Sequence, residues 1–203
     1  MKKTLSFNDP ILDSVSKTIE LPSLKKSEDI YLDLLETIIS QQLSGNIAKI
    51  IFNRFLGLFE NGYPTAEELI QIKDEKLRSA GLSNAKSQYI KNLANFAIIN
   101  DITIKHLDQL SDEEIIDLLT KVKGVGKWSV EMILIFSLQR PDVFPYDDLV
   151  IKKSMVELYK IKKEGKELIL KMNSIANKWK PNRTQASRYL WAHWGQMVQN
   201  KKG

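Results

Sequence analysis

The 203 residues, 43% hydrophobic and 27% charged with a net charge of +5, suffice for one sizeable core or two small lobes and have the balance of a globular protein. The absence of cysteine excludes disulfides, thiolate catalysis and any cysteine-ligated zinc or iron–sulfur cluster. No apolar run follows Met1-Lys2-Lys3-Thr4 as in a signal peptide, and no stretch reaches transmembrane length, so a cytoplasmic protein without a membrane partner is expected.

In chain order, residues 1–26 show no sustained period. Phe7, Ile11, Leu12 and Val15 fit a short helix and Pro22 marks a break, so this segment is expected to pack on a helical body spanning 27–203. Ser27, with Glu28 and Asp29 behind it, reads as a helix cap, and Tyr31, Leu34, Leu35 and Ile38 then share one face. Ser40-Gln41-Gln42-Leu43-Ser44-Gly45 interrupts that helix before a second one carries Ile47, Ile50, Ile51, Phe55 and Leu58. Two adjacent glutamines at a helix junction are polar and unsuited to a core. Thr65-Ala66-Glu67-Glu68 has capping-box spacing, Gly81 suits a helix C-terminus, and Ser83 opens a helix that buries Tyr89, Ile90, Leu93, Ala94 and Ala97.

Ser111-Asp112-Glu113-Glu114 is a second capping box, and the helix it starts carries Ile115, Ile116, Leu118 and Leu119 before ending near Val122. Lys121-Val122-Lys123-Gly124-Val125-Gly126-Lys127-Trp128 follows. Glycines one residue apart allow a tight turn with unobstructed amides, and the next helix, from Lys127 through Val130, Leu134, Ile135 and Leu138, aims its positive end at the same spot. With Lys123 and Lys127 alongside, a phosphate fits there. Gly-x-Gly by itself fits an ordinary helix-to-helix turn equally well. Pro145-Tyr146-Asp147-Asp148 comes next, then helices at about 149–160, 165–178 and 183–199. No alternating β-type run occurs, so the expected fold is all-α, roughly ten short helices in two lobes with a cleft between them and a helix-hairpin-helix at 111–139. From Val150 onward thirteen Lys or Arg stand against three acids, a net of +10 that leaves the first 149 residues at −5. A basic C-terminal third suits nucleic acid, and also a merely solvated lysine-rich surface.

The stretch Leu119 to Val130, followed by Val143-Phe144-Pro145-Tyr146-Asp147-Asp148-Leu149-Val150-Ile151-Lys152, resembles the helix-hairpin-helix DNA glycosylase superfamily, most closely its 3-methyladenine DNA glycosylase II branch. Ile38-Ile39-Ser40-Gln41-Gln42-Leu43-Ser44 is similar to the segment with which that family penetrates DNA. Ala80-Gly81-Leu82-Ser83-Asn84-Ala85-Lys86 is similar to its glycine turn, and Trp179-Lys180-Pro181 through Trp191 to its C-terminal helix. These segments keep the family's order across about residues 28–195.

The resemblance implies a base-excision enzyme acting on double-stranded DNA with alkylated purines, as a monomer, held to the nucleoid through DNA. An N3- or N7-alkylated purine is cationic and leaves without a strong general acid. The enzyme needs chiefly a negative charge beside the oxocarbenium-like sugar, plus a positioned water. Asp148 takes that catalytic position in the resemblance, with Asp147 structural or capping. Trp128, Met132 and Trp191 take pocket positions, where an aromatic face attracts a cationic base; Met132 stands where a further aromatic is found in relatives. Core packing alone is the plainer reading of both tryptophans. Gln42 takes the place of the side chain that fills the gap left by a flipped nucleotide, with Gln41 beside it. Gly124, Val125 and Gly126, with Lys123 and Lys127, would meet the phosphates. No cofactor is implied beyond a monovalent cation on the backbone carbonyls of Thr120, Val122 and Val125. In relatives that also cut the strand, a lysine stands two residues after the second hairpin glycine and forms a Schiff base. Here that residue is Trp128, and Lys127 is turned about 100° away, which implies a monofunctional glycosylase. His106 reads as a loop residue and His193 as a helix-surface or pocket-edge one. Two alternatives stay open: a glycosylase of other base specificity, and a non-catalytic protein that binds distorted duplex.

Overall fold

The computed structural model describes residues 6–200, all helices and loops with no strand among them. Two compact units are present: one joins the residues up to Leu24 with those from Gln139 onward, and the other is Lys25–Leu138.

In the Lys25–Leu138 unit, α2 (Ile30–Ser40) is the central element, with Leu34, Leu35, Ile38 and Ile39 fully buried. It packs on α3 (Gly45–Leu56) and α6 (Asn84–Ile99), and α6 in turn packs on α4 (Ala66–Gln71) and α5 (Asp74–Ser79). The cap of α2 lies two residues beyond the expected Ser27: Asp29 accepts from Leu32 N–H, and Ser27 Oγ accepts from Asp29 N–H. Both capping boxes form, Thr65 with Glu68 and Ser111 with Glu114. Gly81 ends α5 at φ +103° with its N–H on Arg78 O at 2.9 Å. The short α7 (Ile104–Leu107) contains His106, expected in a loop. The hairpin joins α8 (Asp112–Leu119) to α9 (Lys127–Met132), which continues as a π-helical turn at Ile133–Ser137.

In the other unit, α1 (Pro10–Thr18) packs with α10 (Leu149–Tyr159), α11 (Gly165–Ala176), a 3-10 turn at Asn177–Trp179 and α12 (Arg183–Asn200) around Phe7, Leu12, Phe144, Met155, Trp179 and Leu190. Asp9, almost wholly buried, ties the chain's early residues to this core. Its Oδ1 caps α1 through the N–H groups of Ile11 and Leu12, and its Oδ2 accepts from Tyr159 Oη at 3.0 Å and Trp179 Nε1 at 3.2 Å. Four donors satisfy a carboxylate that would otherwise be costly to bury. Burial, reinforced by the Asp9 charge, pushes the Tyr159 hydroxyl up from its ordinary value.

Candidate active site

The hairpin's two glycines have different reasons to be glycine. Gly124 sits at φ +107°, and a Cβ there would lie 2.2 Å from Cγ of Tyr89 on α6, so both the backbone conformation and the approach of that ring require it. Gly126 is unremarkable by comparison, at φ −92° with open space around the missing Cβ. It is the N-cap of α9 and supplies no side-chain bond to the first amides, the condition under which an outside anion can take them. Gly126 thus leaves the first amides of α9 without a side-chain acceptor, while Gly124 serves packing. Val125 N–H closes the turn on Val122 O at 2.9 Å, and Asn92 Nδ2 donates to Lys123 O at 3.2 Å. Lys127 pairs along its own helix with Glu131 at 3.7 Å.

The same turn is tied to the end of α2. Gln41 Nε2 donates to Gly124 O at 3.1 Å and to Ser129 Oγ at 3.2 Å. Lys86 Nζ donates to Ile39 O at 2.6 Å and Gln41 O at 2.7 Å, satisfying carbonyls that the end of a helix leaves without partners. Partial burial lowers the Lys86 ammonium below its ordinary value. The two adjacent glutamines are thus placed differently. Gln41 holds the hairpin through its amide, whereas Gln42 is exposed and adopts the left-handed conformation, φ +61°. Lys86 was read only as part of a turn motif; nothing local in the sequence shows that its ammonium reaches the end of α2.

Trp128, Met132 and Phe136, four residues apart along α9 and its π-helical continuation, line a cavity of about 280 Å³ whose other wall is Asp33, Glu36, Thr37 and Ser40 of α2. Phe136 is a pocket aromatic that the sequence reading passed over, although its spacing of four from Met132 was there to be used. A larger cavity of about 400 Å³, beside Tyr31, Tyr63 and Asp101, is lined by none of the motif residues.

Asp148 is the N-cap of α10 and is 8% exposed. Its Oδ1 accepts from Ile151 N–H at 2.8 Å and from Trp191 Nε1 at 2.9 Å. The capping role expected of Asp147 belongs to Asp148; Asp147 instead pairs with Lys152 at 2.9 Å on the surface. Trp191 packs against the core of the Asp148 unit, and its indole N–H orients the carboxylate. Partial burial lowers the His193 imidazole from its ordinary value.

The pattern of the HhH-GPD superfamily of base excision DNA repair proteins matches residues 35–181, a span that takes in the paired glutamines, the hairpin and Asp148. The chain belongs to this superfamily. It is 41% identical over 172 residues to DNA-3-methyladenine glycosylase 1 of Schizosaccharomyces pombe, covering 83% of this chain and 74% of that protein. Among solved structures, the 3-methyladenine DNA glycosylase of the same yeast in complex with abasic DNA superimposes with a TM-score of 0.80 at 37% identity, over 90% of each chain. The DNA-3-methyladenine glycosidase of Bacillus halodurans gives 0.79 at 29% identity, over 94% of this chain and 87% of that one. Among the described residues no group of three or more His, Asp or Glu is arranged to hold a metal. In this HhH-GPD hairpin, the carbonyls of Thr120, Val122 and Val125 are neutral oxygen donors of a kind suited to a hard, weakly held cation. Val122 O keeps one lone pair after its bond to Val125 N–H.

Proposed function

We propose that this protein is a monofunctional DNA glycosylase of the 3-methyladenine type II kind, which flips an alkylated purine out of duplex DNA and hydrolyses its N-glycosidic bond, leaving an abasic site. The observation that carries this reading is Asp148: a carboxylate fixed on one oxygen by a backbone amide and an indole N–H, within a superfamily match that spans it. So held, it supplies negative charge to an oxocarbenium-like sugar without reorganising, and it can orient the attacking water. The 41% identity to a protein named for 3-methyladenine supports alkylated purines as substrates. Trp128, Met132 and Phe136 offer apolar and aromatic faces to the base. Gln42 enters the duplex and holds the gap; the amides at Gly126 and the side chain of Lys123 meet the phosphates, aided by a monovalent cation on the hairpin carbonyls. Trp128 in place of a Schiff-base lysine supports the absence of strand cleavage. The protein acts as a monomer in the cytoplasm, on the nucleoid.

The test is incubation with methylated duplex followed by identification of the released bases. Release of 3-methyladenine or 7-methylguanine is expected, with strands intact until treated with alkali. Borohydride should trap no covalent adduct. An adduct would overturn the monofunctional mechanism, and failure to release any methylated base would overturn the substrate class.

A further inference from the structure

The wall of the Trp128 cavity formed by α2 is more acidic than packing requires. Asp33, Glu36, Thr37 and Ser40 are spaced i, i+3, i+4 and i+7, a single polar stripe of that helix that faces the apolar stripe of Trp128, Met132 and Phe136. Asp33 Oδ2 is sealed from solvent and has no hydrogen-bond partner among the described residues. An unpaired buried carboxylate oxygen is costly, and it is relieved by a donor or a cation. The position of Asp33 in the first turn of α2 suits the helix dipole, which accounts for its sign but not for its entry into the cavity wall. Glu36, one turn further, gains little from the dipole. Partial burial, then the Asp33 charge, raises its carboxyl above the ordinary value, with Lys49 opposing. At about 280 Å³ the space is near the lower end for ligand pockets and suits one flat ring system.

We propose that Asp33 and Glu36 make this pocket select a base that carries positive charge. The inference rests on the glycosylase reading and adds to it the residues that discriminate a cationic N-alkylated purine from a neutral one of similar shape. Stacking on Trp128 and Phe136 serves both kinds of base. The carboxylates favour only the cation, which relieves their mutual repulsion, while a neutral base leaves that repulsion in place.

The experiment uses Asp33→Asn, Glu36→Gln and the double variant of the full chain. Single-turnover release of 7-methylguanine (cationic in DNA) and of hypoxanthine (neutral) is measured alongside affinity for an abasic-site duplex and the melting temperature. In the double variant, 7-methylguanine release is expected to fall by about tenfold or more, the scale of one carboxylate's attraction. Hypoxanthine release, abasic-site affinity and melting temperature should not fall. Unchanged 7-methylguanine release overturns the proposal, and so does a parallel loss of release, affinity and melting temperature, which would mark the carboxylates as structural. Wild-type protein that releases no methylated base overturns the glycosylase reading itself, a result distinct from wild-type release that the variants leave untouched.

Discussion

Replacing Asp148 by asparagine removes a charge and keeps nearly everything else. The asparagine carbonyl can occupy the place of Oδ1, 2.8 Å from Ile151 N and 2.9 Å from Trp191 Nε1, so both hydrogen bonds have an acceptor. Asparagine also caps a helix as well as aspartate does, so folding stability is expected to change by no more than about 0.5 kcal/mol. What disappears is the preorganised negative charge. Losing one such electrostatic element costs about 10²- to 10³-fold in rate, or about 2.7–4 kcal/mol of transition-state stabilisation. Duplex affinity should be retained or rise slightly, because a negative charge near a polyanion has gone. Asp147→Asn is the control: its surface pair with Lys152 at 2.9 Å is worth no more than about 1 kcal/mol, and release should stay within about twofold of wild type. The assay is base release from methylated duplex with enzyme in excess, beside urea unfolding of each variant. A folded Asp148→Asn protein that keeps wild-type release refutes the electrostatic role. If Asp147→Asn is the inactive one, the two aspartates have exchanged roles.

At the hairpin, Gly124→Ala should destabilise by about 3 kcal/mol or more, because a methyl group would meet the Tyr89 ring at 2.2 Å on a backbone held at φ +107°. Gly126→Ala, in open space, should cost no more than about 1 kcal/mol; equal losses in urea melts would refute the packing role assigned to Gly124. Before α12, burial tends to raise the Asp142 carboxyl, but its hydrogen bonds to Arg183 and that residue's charge outweigh burial and hold it below its ordinary value. The stabilisation is therefore complete above the unfolded carboxyl value, about 4, and is lost as pH falls through the lower folded one. Asp142→Asn should be less stable than wild type at pH 7, with the gap closing in acid; a gap that stays constant down to pH 2 would refute this.

What the sequence disclosed and what it withheld divide by the range of the interaction. The boxes Thr65–Glu68 and Ser111–Glu114 and the cap at Ser83 close within three residues, so their helices start where the sequence places them. The helix α5 escaped notice because Lys73 supplies no capping side chain, and the true cap of α2 is Asp29 because Ser27 spends its hydroxyl on Asp29 N–H. Contacts across long stretches of chain were not legible at all. Asp9 meets partners 150 and 170 residues away, Lys86 reaches back to α2, and the Tyr89 ring closes off the space a side chain at residue 124 would need. The site follows the same division. Either aspartate of the Asp147–Asp148 pair could cap a helix, and local spacing gives no preference between them. The distinction comes from Trp191, 43 residues away, whose N–H reaches only Asp148 of the two. An aromatic residue in a glycosylase sequence suggests a surface for stacking a base. Here the ring of Trp191 packs against the core of its own unit, and its polar nitrogen makes a bond to Asp148 that nothing local in the sequence shows.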